Sequence, residues 1–144
     1  TGPSIVASGE HIWPSSLGVM GWDIEDDGFG VLFNRDIPAI VRNELMVPLN
    51  SFLAHHAKNI SEIDTFIFHP GGAKVLNALD EKIQPSAPGF KHAREVMKNF
   101  GNMSAPTALF VFDEAISHGP LNNALMGALG PGFSASFVLM EDYL

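Results

Sequence analysis

Phe66-Ile67-Phe68-His69-Pro70-Gly71-Gly72 is the stretch that decides the fold. Its short apolar run reads as a buried strand, and the glycine pair ends that strand and opens a helix from Ala73. Strand, glycine turn and helix in succession form the repeating step of an α/β fold, whose chemistry gathers at the carboxyl ends of strands. His69 stands at such an end. Pro70 biases it toward extended backbone, while Gly71 and Gly72 let a ligand approach the main chain beside a helix N-terminus, a place that attracts anions. A buried structural histidine closing the strand is the competing reading.

Outward from this stretch, the upstream chain carries Val19 to Ile24 and Phe29 to Phe33, two apolar-rich segments around Glu25-Asp26-Asp27-Gly28, which predict a β-hairpin. From Ile37 to Asn59 the spacing of Val41, Leu45, Leu49, Phe52, Leu53 and His56 predicts one helix face, with Pro48 kinking that helix or starting it afresh. Downstream, Ala73 to Lys82 is expected to be helical with Leu76, Leu79 and Ile83 inward. Ala93, Val96, Met97 and Phe100 mark the next helix, which Gly101 is placed to end. Ser104 is a suitable N-cap for a further helix through Ile116, whose Ala108, Leu109, Val111, Phe112 and Ala115 suggest burial all round. Gly130-Pro131-Gly132 demands a tight turn between two strands, the second running from Phe133 to Met140. The fold class is therefore α/β, with a mixed sheet, packed helices and an N-terminal β-hairpin extension, in one domain over residues 1–144.

Composition narrows the partners. With a net charge of −8 and only eight Lys and Arg, the surface repels a phosphate backbone, so nucleic-acid binding is not expected. No apolar run reaches bilayer length, and Thr1 to Glu10 lacks the basic start and apolar centre of a signal peptide, so a cytoplasmic location without membrane contact is expected. The absence of Cys excludes disulfides, thiolate-bound zinc and a thiol nucleophile within these residues. Fourteen Gly, ten Pro and a mean hydropathy of +0.14 are high for a small independent domain, which suggests that the chain packs against a neighbour.

A second polar cassette, Gly101-Asn102-Met103-Ser104, faces the same crevice. A neutral His69 and the Asn102 amide can donate to one oxygen from two sides, which suits an oxygen that gains charge during reaction. Alone, Asn102 reads equally as a turn residue satisfying nearby backbone. No metal site is expected. Asp23, Glu25, Asp27 and Gly28 imitate the start of a calcium loop, but its twelfth position is Asn34 and its flanks are strands. His55 and His56 are helix neighbours pointing to different faces.

Three cassettes in order, His69-Pro70-Gly71-Gly72, Gly101-Asn102-Met103-Ser104 and Gly130-Pro131-Gly132-Phe133, together with Asp36-Ile37-Pro38, resemble the carboxyl-terminal half of a bacterial type III polyketide synthase of the chalcone and stilbene synthase family. The resemblance covers nearly the whole chain and implies one half of a thiolase-like fold. It implies a Cys-His-Asn catalytic set in which His69 and Asn102 take the last two roles, the Cys belonging to an N-terminal half of the same polypeptide. It further implies decarboxylative condensation of acyl-CoA starters with malonyl-CoA, no cofactor beyond these CoA thioesters, and a homodimeric full-length enzyme. Gly71, Gly72, Ser104, Gly130, Pro131 and Gly132 would border the substrate. Lys74 sits where a CoA tail would pass, although a solvated surface lysine is its ordinary reading. One departure stands out: plant members place a gatekeeping Phe five residues before the Asp of Asp-x-Pro, and here that residue is Val31. The rival readings are a non-catalytic thiolase-fold interaction module, a ketoacyl synthase III-like enzyme, whose His motif usually lacks Pro-Gly-Gly, and a hydrolase using Ser104 with His69.

Overall fold

The computed structural model of the chain describes residues 2–86 and 89–142. The Phe66 segment forms β4 (Thr65–Phe68), an edge strand, buried by its side chains, of a four-stranded sheet with β1 (Ser4–Ile12), β5 (Ala124–Gly130) and β6 (Ser134–Glu141). The strand order is β1-β6-β5-β4. β4 and β5 are parallel, while β5 with β6 and β6 with β1 are antiparallel, so the sheet is mixed. The chain between β4 and β5 folds into α3 (Ala73–Ile83), α4 (Lys91–Phe100) and α5 (Pro106–Ile116), the helical crossover that a parallel pair requires. A separate hairpin, β2 (Met20–Glu25) and β3 (Gly28–Phe33), turns at Asp26-Asp27 and precedes α1 (Ile37–Glu44) and α2 (Met46–His55).

Side-chain alternation gives the sheet two different faces. The cross-strand register aligns Phe66 with Leu125 and Leu139, and Phe68 with Gly127 and Phe137. These residues share one face, where Phe66 and Phe68 pack on Phe90 at 5.5 and 5.6 Å between ring centroids, and Phe137 stacks on Phe52 of α2 at 5.5 Å. Gly127 is required there: a Cβ on it would stand 2.5 Å from the Phe68 ring. The opposite parity puts Ile67 and His69 on the second face, with Met126, Ala128, Val138 and Ser136.

Several expectations change in the folded chain. The stretch from Ile37 is two helices meeting at Leu45, and Pro48 sits in the first turn of α2, where a missing N–H costs nothing. His56 lies exposed beyond α2, outside its apolar face. Strand β1, unmarked in the reading of Thr1 to Glu10, pairs along β6 from Ser4 opposite Glu141 to Ile12 opposite Ser134. Helix α5 is buried on one side only: Val111 and Ala115 are inside, but Leu109 is 64% exposed. Phe100 on α4 is likewise exposed and meets Phe110 edge-on.

Candidate active site

His69 reaches its position by backbone pairing. Its N–H donates to the Gly127 carbonyl at 2.8 Å, extending the parallel ladder by one residue past β4 and bringing the ring to the carboxyl ends of β4 and β5. Gly71 follows with φ +58°, the left-handed turn that glycine takes without strain. Gly72, with extended backbone, starts α3 and accepts the N–H groups of Val75 and Leu76 through its carbonyl.

The second cassette is tied to the first through Asn102. Its Nδ2 donates to the Gly71 carbonyl at 2.9 Å, and its Oδ1 accepts the Ser104 N–H at 2.8 Å. These two partners fix the amide's orientation and leave one of its two N–H groups for a ligand. Asn102 thus plays the local turn role and also keeps a free donor. Ser104 is not the N-cap of α5: Ala105 takes that place, and Ser104 sits in the left-handed region at φ +63°. Instead Thr107 Oγ1 accepts the Met103 N–H, and the Ser104 carbonyl accepts the Thr107 N–H.

His69, Gly71, Asn102, Ser104, Gly130 and Pro131 line one cavity of about 490 Å³, closed on its other side by Ile37 and by Met20, Trp22, Val31 and Phe33 of the hairpin. The predicted site residues therefore converge, except three. Gly72 and Gly132 flank the lining residues, and Lys74 is exposed in the first turn of α3 and does not line the cavity. Of the hairpin wall only Val31 was foreseen, through the gatekeeping position; the alternation of Met20, Trp22, Val31 and Phe33 onto one face was the signal for the rest.

Burial lowers the His69 pKa below its ordinary value of 6.5, with no charged group contributing, and its Nδ1 is buried without a partner. The ring is accordingly neutral near pH 7. Among the described residues no carboxylate orients it and no hydrogen bond joins it to Ser104, so they do not provide the geometry of a Ser-His-Asp hydrolase. The cavity instead presents neutral donors along an apolar wall, an arrangement that can hold a carbonyl oxygen as negative charge develops on it.

Residues 4–141 match the family model of chalcone and stilbene synthases, C-terminal domain. The chain belongs to the chalcone and stilbene synthase family. It is 37% identical over 142 residues to a Bacillus subtilis (strain 168) protein carrying a provisional chalcone synthase name, covering 96% of this chain and 39% of that protein. A 1,3,6,8-tetrahydroxynaphthalene synthase of Streptomyces peucetius subsp. caesius is 33% identical, over 96% of this chain and 38% of that protein. Among solved structures, the 1,3,6,8-tetrahydroxynaphthalene synthase of Streptomyces coelicolor A3(2), a bacterial type III polyketide synthase, superposes with a TM-score of 0.90 at 22% identity, over 99% of this chain and 42% of that one. The PKS-I of the brown alga Ectocarpus siliculosus gives 0.90 at 17% identity, over 98% and 40%. This chain of the chalcone and stilbene synthase family has the carboxyl-terminal, thiolase-like half of the fold, and spans about two fifths of the length of the curated relatives it matches.

Proposed function

We propose that this chain is the carboxyl-terminal part of a type III polyketide synthase that condenses acyl-CoA starters with malonyl-CoA, and that His69 and Asn102 act on the malonyl thioester oxygen. The supporting observation is that one cavity receives both side chains from separate elements, with Asn102 tied to Gly71 and still holding a free N–H. In this reading a Cys thiolate from an N-terminal half of the polypeptide attacks the acyl-CoA carbonyl, and CoA leaves as the thiol with a proton. The thiolate beside the ring would favour the His69 imidazolium, reversing the lowering caused by burial. Malonyl-CoA then loses CO2; the electron pair of the broken C–C bond moves into the thioester, and His69 and Asn102 donate to the resulting enolate oxygen. The enolate carbon attacks the bound acyl carbonyl, and the thiolate departs as the new C–C bond forms. No cofactor takes part. Val31 and Trp22, on the cavity wall, would meet the growing chain. A cytoplasmic homodimer completes the reading.

The test is malonyl-CoA decarboxylation by the full-length protein. Asn102→Ala is expected to slow it by roughly 10²- to 10³-fold, the usual cost of one oxyanion donor. Near-normal decarboxylation in that variant, or no Cys in the coding sequence upstream of Thr1, would instead support a non-catalytic module.

A further inference from the structure

Away from the cavity, α4 and α5 bring together a set of side chains with metal-ligand chemistry. His92 lies in the first turn of α4, Glu114 in the last turn of α5, and His118 one turn further, just past that helix. One donor atom from each lies within 4.8 Å of the other two, and the imidazole rings stand 5.2 Å apart between centroids. None of the three lines the His69 cavity.

Two further features prepare this cluster for an ion. His92 is only 6% exposed, and its Nδ1 is buried without a hydrogen-bond partner, an arrangement that destabilises the fold unless something satisfies that atom. His118 donates from Nδ1 to the Glu114 main-chain carbonyl at 2.8 Å. That bond holds the ring in the tautomer whose lone pair is on Nε2, as carbonyl partners commonly do for metal-binding histidines.

We propose that His92, Glu114 and His118 bind a divalent transition-metal ion of the Zn2+ class. Two imidazoles and one carboxylate suit Zn2+ and its neighbours in the first transition row, whereas Mg2+ and Ca2+ take oxygen shells. Donors around tetrahedral zinc, at bonds of about 2.0–2.1 Å, stand roughly 3.3–3.4 Å apart. The ion therefore draws the three groups together by about an ångström or more, and exposed His118 with half-buried Glu114 can supply that movement. Water fills the fourth position. The consequence is mechanical: α4 and α5 are joined at one end by the loop that carries Asn102, and the ion clips their other ends.

The test titrates the purified, tag-free protein with Zn2+ by calorimetry and with Co2+ by visible absorption. One ion per chain is expected, with cobalt bands of nitrogen and oxygen coordination. Glu114→Gln and His118→Gln should each weaken binding by at least roughly 10- to 100-fold, since losing even an outer partner of a ligand costs that much. Their metal-free melting temperatures should match the parent, showing that the fold survives. A double His55→Gln/His56→Gln variant should bind as the parent does. Absence of stoichiometric binding, binding unchanged in both cluster variants, or binding lost only in the His55/His56 variant would overturn the proposal.

Discussion

Asn102 spends its amide on the protein before any substrate arrives. One N–H serves the Gly71 carbonyl and Oδ1 serves the Ser104 N–H, so substitutions here alter loop posture as well as chemistry. Asn102→Asp keeps an acceptor for Ser104 but sets an oxygen against the Gly71 carbonyl, and is expected to cost about 1–3 kcal/mol in urea unfolding. Asn102→Ala should cost less, near 1 kcal/mol, despite its larger expected effect on decarboxylation. His69 carries a pH signature. Its folded pKa lies below 6.5 because of burial, so between the two values the unfolded chain binds more protons than the folded one. Stability contributed by the neutral ring is complete above pH 6.5 and declines as the pH falls toward the folded value. Denaturation curves across this window should show a shallower acid loss in His69→Asn than in the parent; an unchanged slope would remove His69 as its source. Sequence alone could place His69 at a strand end, because Pro70 and the glycines punctuate that position. It could not show that Ser104 takes a left-handed backbone, since Ser is a common N-cap, whereas here its carbonyl, not its hydroxyl, accepts the Thr107 N–H.

Among the elements, those with strong periodicity were legible. The hairpin, β4, α3 and α4 fall where apolar spacing and glycine placed them. Strand β1 was not, because Ser4-Ile5-Val6-Ala7-Ser8-Gly9 lacks a steady alternation and its pairing depends on β6, more than a hundred residues away. The exposed half of α5 was also invisible, since a helix apolar on two faces reads the same whether its second cover belongs to the described residues or not. The contact between Phe68 and Gly127 gives a prediction at this scale. Gly127→Ala would place a methyl 2.5 Å from the Phe68 ring, and is expected to destabilise by about 1–3 kcal/mol, as overpacking does. Because Gly127 also receives the His69 N–H, the same variant should shift the His69 ring resonances in NMR spectra. Leu49→Ala, which empties a fully buried site between α2 and the core, should cost about 2–5 kcal/mol.

The whole molecule carries apolar surface beyond its own core. On one face of the hairpin, Met20, Trp22, Val31 and Phe33 wall the cavity, and the same face continues through Ile24 and Phe29, which are 88% and 74% exposed. Leu109, Phe110 and Phe100 form a second apolar area on the helices. Surfaces of this kind drive association, so the isolated chain is expected to self-associate, and light scattering should report species larger than 15.5 kDa. Ile24→Ser combined with Phe29→Ser should reduce that association; a monodisperse monomer in the parent at high concentration would contradict it. The high mean hydropathy anticipated an unmet surface, but not its location, which depends on which strand faces the sheet turns outward. The β1–β6 ladder has a temporal consequence. Ser4 finds its partner only when Glu141 has been made, so β1 waits without its neighbour while the residues between them are synthesised. During that interval the backbone groups that will pair with β6 are open, and an unpaired strand edge is a natural place for chaperone contact during synthesis.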